Sequence, residues 1–333
     1  MTENFPLPVR WRATLPSFCL VWEPPVPDGD QVVARCGEAV VAFGADRGDL
    51  RWRAELGPRT GDGTCLVPVG DLFVTDVVRR PERLASLVAV GRDGTVAWRA
   101  DLPGQVIRGG VAAAAGDLLV LGREPGAGQF LYRLDPGTGE LGGRHRLPWA
   151  ATALTPHGDG LLLANGSDGS APGLFRTTLD GGDPQAVSDE PVARLIAAGG
   201  QLLTLSRGGG GAVRMHDPAT LSVRWSAPAR DEVAALDGDA VFAVADGALV
   251  SWDAGSGAER WRSEPLPEDA GRLAAAGGIV LYGHLRGNGF YRSDDGTLLG
   301  ETTESYGAPA ASKGRIYAGG RQMVLCADVP GRR

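Results

Sequence analysis

Arg108, Arg194 and Arg272 are the residues of this chain best suited to hold a ligand. A guanidinium is a rigid fork of N–H donors that matches a carboxylate or phosphate two bonds at a time. Glu232, Tyr306, His284 and Cys65 supply the side chains able to move a proton or attack an electrophile. Other constellations are missing. The four cysteines, Cys19, Cys36, Cys65 and Cys326, contain no C-x-x-C. They read as small buried hydrophobes of a reducing compartment, although Cys19 and Cys65 fall at equivalent positions. No two of His145, His157, His216 and His284 share a metal-ligand spacing, so no metal is expected. The Asp-rich turns lack the terminal Glu of a calcium loop. Asn165-Gly166-Ser167-Asp168-Gly169 is not a nucleophile elbow, and Gly208–Gly211 precedes no helix that would cradle a phosphate.

Whether the arginines converge depends on the elements that carry them. A turn-and-tryptophan phrase recurs roughly every 40 residues. Its clearest copies are Trp252-Asp253-Ala254-Gly255-Ser256-Gly257-Ala258-Glu259-Arg260-Trp261 and Asp217-Pro218-Ala219-Thr220-Leu221-Ser222-Val223-Arg224-Trp225, with Leu134-Asp135-Pro136-Gly137-Thr138-Gly139-Glu140 a Trp-less relative. Each unit reads as four short strands separated by Gly, Asp and Pro turns, an all-β pattern. The 51 glycines and 23 prolines are turn chemistry. Fourth strands near Trp11, Trp52, Trp98, Arg144, Gln185, Trp225, Trp261 and Leu299 count eight units. The sequence therefore predicts an eight-bladed β-propeller of four-stranded antiparallel blades, a single domain over 1–333. Val9–Leu15 is a near copy of Leu50–Leu56 but has no first three strands, and the last unit has no fourth. The N-terminal strand, residues 8–15, is thus expected to complete the C-terminal blade, 307–328, and close the ring.

The phrases at 134–140 and 252–261 resemble the repeat of pyrroloquinoline-quinone (PQQ)-type β-propellers over essentially the whole chain. That family includes quinoprotein alcohol dehydrogenases and the propeller lipoprotein of the bacterial outer-membrane assembly machine. The resemblance implies that Trp11, Trp52, Trp98, Trp225 and Trp261 each lie on one blade and pack against the next. It speaks to fold rather than function, because the motif packs blades. Quinoprotein dehydrogenases carry a vicinal cysteine pair beside the cofactor, and none exists here. No PQQ is expected, nor a PQQ-dependent dehydrogenase, nor any other cofactor.

In such a propeller the innermost strand of each blade begins on the face where family members bind ligands. Aligned on the turns, Thr64, Arg194, Glu232 and Arg272 share one position, with Arg108 and Tyr306 two residues earlier, and His284 lies in a loop on the same face. Inward arginines there would form a mouth for an acidic small molecule, peptide or protein. The opposite face collects turn aspartates and is expected to be acidic. A net charge of −7 without a basic stripe argues against nucleic acid. No apolar run approaches 18 residues, so no membrane span is expected. The N-terminus lacks a basic segment followed by an apolar one, which predicts a cytoplasmic protein. Lys313, the single lysine, lies in a predicted turn, which leaves little room for Schiff-base chemistry. Two functions stand: a non-catalytic binding scaffold acting through the funnel face, and a cytoplasmic small-molecule enzyme of bacterial specialised metabolism with its active site in the central funnel.

Overall fold

A computed structural model describes residues 6–15, 23–57, 65–79, 84–166, 172–206, 211–230, 233–266, 270–284, 287–303 and 306–329. All regular structure in them is β-strand, and no helix there is long and apolar enough to cross a membrane. Seven antiparallel sheets are built from four consecutive strands each. They are β2–β5 (Val26–Asp28, Gln31–Cys36, Ala39–Gly44, Leu50–Glu55) and β6–β9 (Leu66–Val69, Leu72–Arg79, Leu84–Gly91, Val96–Asp101). Next come β10–β13 (Gln105–Ala114, Asp117–Glu124, Gly128–Leu134, Leu141–Arg146) and β14–β17 (Ala153–His157, Gly160–Asn165, Gly173–Thr178, Gln185–Ser188). The third pair is β18–β21 (Arg194–Ala198, Gln201–Leu205, Ala212–His216, Val223–Pro228) and β22–β25 (Ala234–Asp237, Ala240–Ala245, Ala248–Asp253, Glu259–Pro265). The seventh is β26–β29 (Ala270–Ala276, Ile279–His284, Gly287–Arg292, Leu298–Thr302).

The eighth sheet joins the two ends of the chain. Its order is β1 (Val9–Thr14), β32 (Met323–Asp328), β31 (Arg315–Gly320), β30 (Ala310–Ser312). β1 pairs with β32 from Val9↔Ala327 to Thr14↔Met323. The fold is the eight-bladed β-propeller, with the N-terminal strand as the outer strand of the last blade.

Burial follows position within a blade. The two middle strands are covered on both faces and read as near-continuous apolar runs, as in β3, β4 and β23. The outer strands alternate, as in β1. The chain separates into two compact units, residues 1–36, 41–52 and 196–333 in one, and 37–40 and 53–195 in the other. Within the first, leading strand β22 lies against β26, β26 against β30 and β30 against β2; within the second, β6 lies against β10 and β10 against β14.

One device repeats between neighbouring sheets. Trp11 Nε1 donates to Ala45 O (3.0 Å), Trp98 to Pro136 O (2.9 Å), Trp225 to Ala254 O (2.9 Å) and Trp261 to Ser293 O (2.7 Å). Each acceptor belongs to the next sheet's turn between third and fourth strands, three residues before a position of left-handed backbone. That position is Gly48, Gly139, Gly257 or Gly296, at φ 72–73°. A Cβ there would stand 2.5–2.6 Å from the indole. On β13, His145 takes the tryptophan's place and lies against Gly181. The Trp52 Nε1 hydrogen bond goes instead to Gln31 Oε1 of its own sheet (3.0 Å).

The turn aspartates fix the geometry these rings meet. Asp135 Oδ1 accepts from the amides of Gly137 and Thr138, both at 2.8 Å, and Gly139 N donates back to Asp135 O. Asp253 does the same for Gly255 and Ser256. Thr138 above all holds the Asp135 carboxyl below the usual carboxylate range, and Arg260, ahead of Ser256, does so for Asp253. The expected acidic face is consequently matched by arginine. Arg260 bridges Asp239 (2.7 Å) and Asp253 (2.6 Å), Arg224 meets Asp217 (2.6 Å), and Arg315 meets Asp46 (2.6 Å). The sequence reading took that face as acidic because it did not pair its aspartates with arginines.

His216 is 3% exposed, with Nδ1 on Leu221 O (2.9 Å) and Nε2 against Thr204 Oγ1 (2.8 Å). The carbonyl must accept, so Nδ1 carries the proton and Nε2 accepts from the threonine. Burial first, then nearby Arg214, lowers the pKa from its ordinary 6.5, against the raising effect of the Leu221 bond. A histidine kept neutral in the fold stabilises it above pH 6.5; below that the unfolded chain binds a proton the native state resists. The shifted turn carboxyls act lower, below their ordinary 3.8. Denaturant midpoints should therefore fall between pH 7 and 5, and His216→Gln, less stable at pH 7, should show a flatter profile. Parallel profiles for the two proteins would refute this.

Candidate functional site

The predicted residues divide sharply. Arg108 and Arg194 are exposed. Arg194 is the first residue of β18, and Arg108 lies near the start of β10, so each is at the end of its strand away from the turn into the next strand of its sheet. Arg272 follows a one-residue irregularity in β26, between Ala270 and Arg272, and His284 is the last residue of β27; both side chains lie outside the described residues. Glu232 and Thr64 lie outside them altogether, as does Cys19.

The candidates for chemistry are packed away. Cys65 is 5% exposed and lies just before β6. Its amide donates to Asp76 Oδ1 (3.0 Å) and its carbonyl accepts from Thr75 Oγ1 (2.8 Å). Those two bonds pin the backbone from which β6 starts. Tyr306 is 2% exposed, edge-on to Phe290 at 6.3 Å, in a cluster with Leu7, Ile279 and Leu325. The sequence places it at a mouth by strand alternation. In the structure it precedes β30 by four residues, so alternation does not govern it, and its ring belongs to the core.

Sequence reasoning missed a partly buried polar network in the sheet of Arg108. Glu124, 8% exposed, accepts from Tyr132 Oη (2.7 Å) and from Arg144 Nε (2.8 Å), with Arg144 Nη2 on the other oxygen. The Arg144 guanidinium lies 4.0 Å from the Phe130 ring centroid. The arginine bond, ahead of opposing burial, lowers the Glu124 pKa; burial first, and then Glu124, raises that of Tyr132. Glu124 thereby ties β11 to Tyr132 on β12 and to Arg144 on β13, which locks the three strands together.

At the other end of these strands is an open groove of about 570 Å³, lined by Val69, Leu72, Ala113, Ala115 and Pro136 among others. It is apolar and lies away from Arg108. Among the described residues no three His, Cys, Asp or Glu stand close enough to hold a metal ion.

Comparison with known proteins fits this geometry. The family described as outer membrane protein assembly factor BamB matches residues 9–155, 40–226 and 209–328. The chain belongs to this PQQ-like β-propeller family. Solved structures share the fold at low identity. The crystal structure of BamB from Moraxella catarrhalis superposes with TM-score 0.68 at 15% identity, covering 97% of this chain and 99% of that one. The computationally designed Ika8 protein gives 0.71 at 14%, covering 95% and 99%. The Dos1 propeller gives 0.69 at 11%, covering 98% and 96%. No curated protein matches the chain. At these identities the likeness is one of fold.

Proposed function

We propose that this PQQ-like propeller is a binding scaffold. It recognises an acidic ligand, a peptide or small molecule carrying carboxylates or phosphate, at the strand end where β10 and β18 begin. The observation that carries this reading is the exposure of Arg108 and Arg194 at that end while Cys65 and Tyr306 are buried. Guanidiniums facing solvent favour binding; a buried thiol and a buried phenol do not favour catalysis.

A fluorescein-labelled hexaglutamate peptide tests it by anisotropy. Saturable binding is expected, weaker at higher salt. Replacing both Arg108 and Arg194 by Ala should reduce affinity about tenfold, a loss of about 1.4 kcal/mol. Arg92→Ala, at the opposite strand end beside Asp71, should leave it unchanged. Absence of binding, or an equal loss in Arg92→Ala, would overturn the reading.

A further inference from the structure

The groove at the turn end of β6 and β10 is lined by apolar residues and glycine except at Asp71 and Asp117. Val69 and Leu72 flank the β6–β7 turn on one side. On another side Ala113 to Gly116 run into the β10–β11 turn, a wall with no side chain larger than a methyl. Pro136 and Gly137, from the turn between β12 and β13, supply the rest. Their turn is fixed in advance: Pro136 O accepts from Trp98 Nε1 (2.9 Å), and Gly137 N donates to Asp135 Oδ1 (2.8 Å). A preformed, mostly apolar groove of about 570 Å³ is in the range of sites for single small molecules.

Ala115 is the unexpected member of that lining. It is the first residue of a two-residue turn, and its backbone is left-handed, φ 49°. The corresponding turns after β2, β6, β14, β18, β22 and β26 place Gly29, Gly70, Gly158, Gly199, Gly238 and Gly277 there, at φ 58–65°. Glycine adopts this conformation freely and alanine does not. Lys313, after β30, is the other exception, and its Nζ reaches Gly29 O (3.5 Å). The exposed Ala115 methyl instead adds apolar surface to the groove. Backbone strain kept where glycine would relieve it points to a site that uses the side chain.

Both charged residues of the lining are acids, one from each hairpin. Asp71 is the second turn residue after β6, with its side chain 90% exposed, and Asp117 opens β11. Arg92 stands 3.4 Å from Asp71 and Arg133 3.6 Å from Asp117, yet neither arginine lines the groove. Such partly exposed pairs are held weakly, and each carboxylate keeps acceptor capacity for a second cation. We propose that this groove binds a small amphiphilic amine. Its hydrocarbon lies against Val69, Leu72, Ala115 and Pro136, and its protonated nitrogen is shared by Asp71 and Asp117. The site is separate from the acidic-ligand site, at the opposite strand end, and prefers the opposite charge.

Methyl chemical shifts of the full chain, titrated separately with octylamine, octanol and octanoate at pH 7, test it. Octylamine, protonated at this pH, should shift the methyls of Val69, Leu72 and Ala115 saturably, with a dissociation constant on the order of 0.1–1 mM. Octanol should bind about tenfold more weakly, and octanoate more weakly still. Asp71→Asn and Asp117→Asn should each weaken octylamine about threefold and leave octanol unchanged. Arg92→Ala removes a competing cation and should strengthen octylamine about twofold. Ala115→Gly should raise the denaturation midpoint while weakening octylamine, because it relieves the turn and deletes the methyl. The acetylated peptide amide Leu-Lys-Leu carries similar chemistry on a backbone and should bind more weakly than octylamine. Tighter binding by the peptide would overturn the small-molecule assignment. Unmoved methyls, equal affinity for octylamine and octanol, or undiminished octylamine binding in both Asn variants would overturn the site.

Discussion

Removing residues 1–15 should destabilise the protein by more than any single substitution and make it associate. Without β1, Met323–Ala327 loses its ladder partner and becomes a free apolar edge. The bonds from Asp328 N to Pro8 O and from Leu15 N to Gln322 O go with it. So does Trp11, 7% exposed, whose ring lies 6.3 Å from Phe43 and 6.2 Å from Tyr317. Truncating a buried tryptophan alone costs about 3–5 kcal/mol. Leu7 leaves a second hole in the cluster around Phe290 and Tyr306. Calorimetry and light scattering would show a lowered Tm and species larger than monomer. A truncated chain that melts unchanged as a monomer would mean that the eighth sheet does not need this strand.

The glycines under the tryptophans should be the most sensitive turn positions. At Gly257 a methyl would stand 2.6 Å from Trp225 Cγ, and at Gly296 2.5 Å from Trp261 Cε3. Each also has a left-handed backbone, at φ 73° and 72°. Strain and overpacking together put Gly257→Ala and Gly296→Ala at about 3 kcal/mol each. Gly238→Ala has the same backbone demand, φ 60°, but no atom within 4 Å, and should cost about 1 kcal/mol. Chemical denaturation separates the two classes. Equal losses at Gly238 and Gly257 would show that the indole contact contributes nothing beyond the turn itself.

The repeat was readable because it obeys local rules. Asp253 caps its turn, Gly257 supplies the left-handed residue and Trp261 follows at fixed spacing, so the phrase announces both turn and neighbour. Even the shared eighth sheet was visible, since Val9–Leu15 copies Leu50–Leu56 without a unit of its own. The candidate site was less legible. Alternation located Arg108 and Arg194 at a strand end but missed the bulge of β10 between Val106 and Val111, because a shift of register is a tertiary fact. Its sequence sign was Gly109-Gly110 inside an otherwise apolar strand, which marks a bulge or a close backbone approach. Tyr306 was misplaced because the same alternation was extended beyond the strand. The pairing of turn aspartates with arginines was invisible, because Arg260 reaches Asp239 across three strands of its blade.

The pairing of β1 with β32 sets the order in which the molecule can be finished. Arg10 and Asp328, in contact in the fold, are 318 positions apart in the chain. During synthesis β1 has no partner until β32 has been added. Blades built from consecutive strands close short hairpins and can form as they appear; the eighth must wait. The closure entropy of so long a span grows only logarithmically, by about 0.6 kcal/mol per doubling, so the delay is one of time rather than of stability. Until then the nascent chain carries Trp11 on an unpaired strand, and β1 stays an uncovered edge while the seven other sheets form.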